Sequence, residues 1–171
     1  MRRGGVRPPR RRRGERGVPS RPPIGILSPV VKCAFVSPPA GDRFPEKIDV
    51  QATPMVARLD SATPSIVVPF GGGIPEGVVC LDADCENRFG VVRILSGADC
   101  SLQQNLGGTD LDGNGRVEWA RSSSPVALAD LDGDEIPEVV VFMVELADPA
   151  TGAGTEITVA CTNKGDGWTP L

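Results

Sequence analysis

The stretch Ala129-Asp130-Leu131-Asp132-Gly133-Asp134-Glu135-Ile136-Pro137-Glu138-Val139-Val140-Val141 decides the reading of this chain. Asp130, Asp132, Asp134 and Glu138 stand at positions 1, 3, 5 and 9 of a nine-residue loop. Side chains at that spacing can converge on one centre, with the carbonyl of Ile136 filling a gap, and a hard cation such as Ca2+ takes about six to eight oxygen ligands. Without a cation, four carboxylates held this close repel one another, so a merely solvated acidic turn is the weaker reading. Gly133 allows a tight turn and Pro137 stiffens the exit. The run that follows, Val139 to Val144, is apolar throughout, which predicts a strand covered on both faces.

Working outward, the other apolar residues also arrive in short runs bounded by Gly, Pro, Asp and Ser, the pattern of strands and turns. The runs are Pro54 to Leu59, Ser65 to Phe70, Val91 to Leu95, Pro125 to Leu131, Pro137 to Val144 and Thr155 to Cys161. The last alternates, with Ile157, Val159 and Cys161 on one face. There is also an internal repeat. Thr53-Pro54-Met55-Val56-Ala57-Arg58-Leu59-Asp60 with Pro64-Ser65-Ile66-Val67-Val68 returns as Ser124-Pro125-Val126-Ala127-Leu128-Ala129-Asp130-Leu131-Asp132 with Pro137-Glu138-Val139-Val140-Val141. Each copy continues into a third strand and a turn rich in Gly and Asp, Gly97-Ala98-Asp99 or Gly165-Asp166-Gly167. Tandem units of about four strands are the blades of a β-propeller; a sandwich of unrelated strands would not explain the repetition.

A second acidic loop, Asp110-Leu111-Asp112-Gly113-Asn114-Gly115-Arg116-Val117-Glu118, has the same spacing. Asp110, Asp112, Asn114 and Glu118 supply side-chain oxygens and Arg116 a carbonyl. An EF-hand would need an acidic residue at position 12 and an exiting helix, but Arg121 stands there and Ser122-Ser123-Ser124-Pro125 follows. The loop is therefore expected as a strand-flanked cation loop, with a polar hairpin turn as the alternative. In the first repeat copy, Arg58-Leu59-Asp60-Ser61-Ala62 has lost the acidic first and third positions and should be empty.

The thirteen residues from Ala129 to Val141 resemble the calcium-loop core of the FG-GAP or VCBS repeat, the blade unit of integrin alpha-chain propellers and of many secreted bacterial proteins. The resemblance implies a partial β-propeller over residues 50–171, with blade one at about 50–120 and an incomplete blade two at about 121–171. It implies Ca2+ held by Asp130, Asp132, Asp134 and Glu138 with the Ile136 carbonyl, an extracellular or cell-surface setting, and a binding, adhesion or structural role toward a protein or carbohydrate ligand. The chain departs from the family in its degenerate first loop, in the extra loop at Asp110 and in having material for only about two blades. Two blades leave apolar sheet faces and strand edges uncovered, and Leu171 comes before a fourth strand of the second blade is complete, so self-association is expected.

Composition narrows the chemistry. The chain of 171 residues has no His and no Tyr. A Ser-His-Asp or Cys-His nucleophile, a His-ligated metal and a His pH switch are thereby excluded. Gly 21 and Pro 17 disfavour long helices, so the fold class is all-β. Residues 1–21 carry nine Arg against one Glu, whereas the rest carries nine Lys or Arg against 21 acidic groups. An acidic body repels nucleic acid and suits divalent cations. The Arg/Pro-rich arm at 1–30 is expected to be disordered, an uninformative extension sooner than a nucleic-acid arm or a targeting signal. No stretch is long and apolar enough to span a membrane.

Of the five Cys, Cys80 and Cys85 close a small loop that can hold a disulfide, Cys33 and Cys100 are the next candidates, and Cys161 falls on a strand's apolar face as a small buried hydrophobe. A zinc site lacks both a CxxC pair and His. No enzyme activity is expected. The competing class is a carbohydrate-binding or polysaccharide-active propeller, a glycosidase or lyase, since paired carboxylates hydrolyse glycosidic bonds. Against it stand the cation spacing of every acidic cluster and the shortage of aromatic sugar platforms, for which only Trp119 and Trp168 are available.

Overall fold

The runs of β-branched residues between turn formers become strands because branched side chains pack well on a pleated surface. In a computed structural model, residues 29–59, 63–72, 89–148, 153–163 and 168–171 are described. Most of the basic arm, residues 60–62, and Cys80 and Cys85 lie outside the described residues, so the expectations placed on them are not addressed. Among the described residues there is no helix. The strands are β1 (Asp49–Val50), β2 (Met55–Ala57), β3 (Ser65–Gly71), β4 (Val91–Ser96), β5 (Leu102–Leu106), β6 (Val117–Ala120), β7 (Ala127–Ala129), β8 (Glu138–Asp148), β9 (Ala153–Asn163) and β10 (Trp168–Pro170). All six apolar runs read from the sequence are strands.

The strands form two curled antiparallel sheets, one of them a half-barrel. In the first, β2, β3, β4 and β5 pair in sequence order; in the second, β7, β8, β9 and β10 do the same. Each sheet gains one more short strand at the far end of its longest element. There β1 pairs with Phe70 and Gly71, and β6 pairs with Met143 to Leu146. The internal repeat is thus a repeat of topology, strand for strand. The second unit does include its fourth strand: β10 runs antiparallel to β9, with Pro170 opposite Cys161.

The two sheets share one core. Val67, Val92, Ile94 and Leu106 of the first meet Ala120, Val139, Val141, Met143 and Cys161 of the second, all fully or almost fully buried. Ile157 and Val159 pack on the same cluster, as their alternation predicts. A second cluster joins Phe44, Phe89, Val91, Trp119, Val144 and Leu146. Trp119 is 7% exposed and stands edge-on to Phe44 at 5.6 Å between centroids, so it is no sugar platform. The edge of β6 turned away from β8 bonds to the first unit. The Gly90 and Ala120 amides each donate to the other's carbonyl at 2.7 and 2.9 Å, and the Gly108 amide donates to the Glu118 carbonyl at 2.6 Å. Gly108 has φ +68°, and a Cβ there would stand 2.4 Å from the Phe44 ring, so both turn and packing require glycine.

The outer face of the first sheet is covered by residues 33–47, a segment the sequence left without a role. Val68, Phe70 and Leu95 form a third cluster there with Phe35, Ile66 and Leu102. At its centre is Arg93 of β4, wholly buried. Its Nη1 donates to Asp42 Oδ2 at 2.6 Å and to Asn105 Oδ1 at 3.0 Å, and its Nη2 to the carbonyls of Phe44 and Lys47 at 2.8 and 3.1 Å. The rings of Phe35 and Phe70 flank the guanidinium at 5.4 and 5.3 Å. A disulfide, Cys33–Cys100, ties the same segment to the turn after β4. Closing a loop across 67 residues stabilises by about 4 kcal/mol in the chain-entropy picture.

Burial alone would raise the Asp42 pKa, but the Phe44 amide and the Arg93 and Asn105 side chains outweigh it and hold the carboxyl below its usual value. A depressed folded pKa means stability present above the unfolded value near 3.9 and lost as pH falls through the folded one. Chemical denaturation between pH 5 and pH 2 should show this loss, with a shallower slope for Asp42→Asn. Asp42→Ala should cost about 3 to 5 kcal/mol at neutral pH because it leaves Arg93 buried and unpaired. A cost below about 1 kcal/mol would show that the pair does not anchor the segment.

Candidate metal centre

Both acidic stretches are hairpin loops of one design. The Asp130 loop joins β7 to β8 and is closed by the antiparallel pair Ala129 and Glu138. The Asp110 loop leads from β5 to β6 and is closed by the equivalent bridge, Thr109 with Glu118. Inside, the hydrogen bonds correspond. Gly113 N donates to Asp110 Oδ1 at 2.7 Å, as Gly133 N does to Asp130 Oδ1 at 2.7 Å. The position 6 amides, Gly115 and Glu135, donate to Oδ2 of the same aspartates at 2.8 and 3.1 Å. The Arg116 and Ile136 amides donate to Oδ1 of Asn114 and Asp134, both at 2.8 Å. Short carboxylates that accept from amides two to five residues on impose this turn locally, which explains why one pattern gives one shape in two places.

At the closing position, Glu118 and Glu138 are each 1% exposed. In each, Oε2 accepts the amide of position 2, Leu111 at 2.6 Å and Leu131 at 2.7 Å. In each, Oε1 is buried without a hydrogen-bond partner. An unpaired buried carboxylate oxygen costs about 1 to 3 kcal/mol or more. Burial pushes the Glu118 pKa up, against the lowering effect of the Leu111 amide, and the charges of Asp112 and Asp110 push it further. The same orphan recurs in both loops. Asp110, Asp112 and Glu118 bring one oxygen each within 4.8 Å of one another, and so do Asp130, Asp132 and Glu138.

Two acidic triads, each able to hold a metal ion, are therefore in place. The other expected ligands stand differently. The Asp134 carboxylate is outside the 4.8 Å set, with Oδ1 engaged by the Ile136 amide. Asn114 turns its Oδ1 to Arg116 N and its amide group to Asp112 and Glu145. Arg116 pairs through its side chain with Glu145 at 2.9 Å. Glu145, on β8, was not legible as part of the site: it lies 27 residues beyond Glu118 in the chain and comes to the loop only because β6 pairs with β8, Glu118 opposite Glu145. Cys161 is buried in the shared core, which pushes its thiol up to about 11 and makes it a poor nucleophile or ligand.

One difference between the loops is which residue takes up the left-handed turn. Position 6 has positive φ in both, Gly115 at +86° and Glu135 at +70°. A left-handed conformation costs a non-glycine residue about 1 to 2 kcal/mol, part of which glycine returns through its freer unfolded chain. Glu135→Gly should raise stability by up to about 1 kcal/mol in urea denaturation. An unchanged or lower midpoint would mean that the Glu135 side chain offsets its own strain.

Comparison of the chain with protein-family models, with curated proteins and with solved structures returned no match.

Proposed function

We propose that this chain is a calcium-binding β-repeat module of the FG-GAP or VCBS type, part of a propeller-like assembly that serves as a binding, adhesion or structural element of an extracellular or cell-surface protein. The observation that carries the reading is that Glu118 and Glu138, each bringing a carboxylate oxygen together with those of two aspartates, each also keep a buried Oε1 without a hydrogen-bond partner. A cation satisfies both the orphan oxygen and the mutual repulsion of the triad, and hard carboxylate donors favour Ca2+ or a similar ion over softer metals. The matched meanders β2 to β5 and β7 to β10 support a blade-like repeat. The Cys33–Cys100 disulfide is compatible with an oxidising compartment. Among the described residues no helix is long and apolar enough to cross a membrane.

The polysaccharide-active alternative is less well supported, since Trp119 is buried; the side chain of Trp168, the other candidate platform, lies outside what is described.

Titration calorimetry should find two calcium sites. The Asp110 loop should be the weaker, because the neutral Asn114 stands where the Asp130 loop has the added negative charge of Asp134 beside, though not within, its triad. Calcium at 100 times its Kd should add about 2.7 kcal/mol of stability. Glu138→Gln should remove the tighter site and leave the weaker one. Absence of both calcium heat and any gain in melting temperature would overturn the proposal.

A further inference from the structure

Aligned by their strand pairings, the two units use one and the same sheet face for different contacts. Ala57 pairs with Ser65 as Ala129 pairs with Glu138, so Ile66, Val68 and Phe70 of β3 stand at the positions of Val139, Val141 and Met143 of β8. Opposite them, Leu95, Arg93 and Val91 of β4 match Cys161, Val159 and Ile157 of β9. On the second sheet these six residues pack into the shared core, against Val67, Val92 and Ile94 of the first. On the first sheet the matching face lies under Phe35 and Phe44 of the segment 33–47, and it carries Arg93 where the second sheet has Val159. Residues 33–47 therefore take, on the first sheet, the place that the first sheet takes on the second. The receiving face has a counterpart as well. Val67, Ile94 and Val92 match Val140, Ala160 and Thr158, whose side chains alternate away from the core; Val140 and Ala160 are half-buried and Thr158 is exposed.

We propose that residues 33–47 are an autoinhibitory cap, which occupies the face by which the first sheet would otherwise dock on the second sheet of another copy of this chain. The occupant is a second copy because the chain holds both halves of the contact and joins the equivalent halves internally, first sheet to second. One half lies under the cap and the other on the outside of the second sheet. Arg93 makes the covered face selective for the cap. The segment supplies Asp42 and two backbone carbonyls to the guanidinium, whereas Val140, Ala160 and Thr158 offer nothing that could pair a desolvated charge. Two anchors hold the cap in place, the Asp42–Arg93 ion pair at 2.6 Å and the Cys33–Cys100 disulfide. The contact so blocked is heterologous, one face against a different one, so released copies add head to tail and do not stop at a dimer. Terminal capping is what a stacked repeat array requires to remain soluble, and here a segment without strands provides it. The inference is independent of any cation.

The test is sedimentation velocity of the full chain over a hundredfold range of concentration, with hydrogen exchange on the same samples. The intact chain should stay monomeric and protect the amides of Asp42, Phe44 and Lys47, which are hydrogen-bonded within the cap. Arg93→Val combined with Cys33→Ser and Cys100→Ser removes both anchors and gives the covered face the residue its counterpart has. This variant should lose protection in the cap, keep it across Val139 to Val144, and form species beyond the dimer that grow with concentration. Adding Thr158→Arg, which charges the receiving face at an exposed position, should return it to monomer. Adding Val56→Arg, on the exposed edge of β2, should not. Should Val139 to Val144 lose protection too, Arg93→Met, which keeps more of the side-chain volume, takes the place of Arg93→Val. Association of the intact chain as strong as that of the variant would overturn the cap, as would a variant that stays monomeric with the cap unprotected. Association that ignores Thr158→Arg, or that Val56→Arg abolishes, would place the contact elsewhere and also overturn it. A cap still protected in both variants, or unfolding of both, would show that the segment is not a cover held by these anchors.

Discussion

The buried guanidinium of Arg93 organises the body of this protein. A wholly buried Arg is tolerated only when paired and hydrogen-bonded, and here one carboxylate, one side-chain amide and two backbone carbonyls converge on it. The amide is Asn105 of β5, and the other three partners sit at Asp42, Phe44 and Lys47, in a segment with no strand of its own. Satisfying Arg93 therefore forces residues 33–47 across the first sheet, where Phe35 joins the apolar cluster and Cys33 reaches Cys100. The segment in turn delivers Phe44 to Trp119, which connects the outer cover of the first sheet to the core shared with the second. One desolvated charge thus couples three layers of packing.

That coupling bears on the face-covering problem of a short repeat array. Two units with nothing beyond them would leave apolar sheet faces exposed to water. The central strands of the first sheet are instead covered on both sides, by the second sheet and by the non-repeated segment: β3 is buried at all but one position and β4 at every position from Val91 to Leu95. Four of the exposed large apolar residues, Ile48, Val50, Met55 and Val56, lie along the edge made by β1 and β2. An edge of that composition is where a further strand or chain would find both open backbone groups and apolar contact.

The two acidic loops show the same local chemistry put to two topological uses. The Asp130 loop closes a hairpin inside the second sheet, so its integrity concerns that sheet alone. The Asp110 loop carries the chain from the first sheet to the second, and its closing Glu118 lies on the strand that bonds to both. Charge neutralisation there acts on the junction of the units. The ion pair of Arg116 with Glu145 reinforces it from β8, although a largely exposed guanidinium gives such a pair little strength alone.

Sequence alone determined what is set by short-range rules. The six apolar runs are strands because β-branched residues between turn formers have few other options, and Ile157, Val159 and Cys161 face inward because strand side chains alternate. The loops at Asp110 and Asp130 were legible because their aspartates bond to amides within five residues, so spacing and geometry are one fact. Other features depended on residues distant in the chain. Polar β5, Leu-Gln-Gln-Asn-Leu, is a strand because β4 offers it an open edge, not because of its composition. Trp119 is core and not a sugar platform because Phe44 comes to cover it. Asp42 with Arg93, and Glu145 with the Asp110 loop, are 51 and 29 to 31 residues apart in sequence and meet only through sheet pairing and the desolvation it brings. Periodicity reports which face a residue takes; only the assembled sheets decide what stands opposite it, and a buried charge acquires its partner from there.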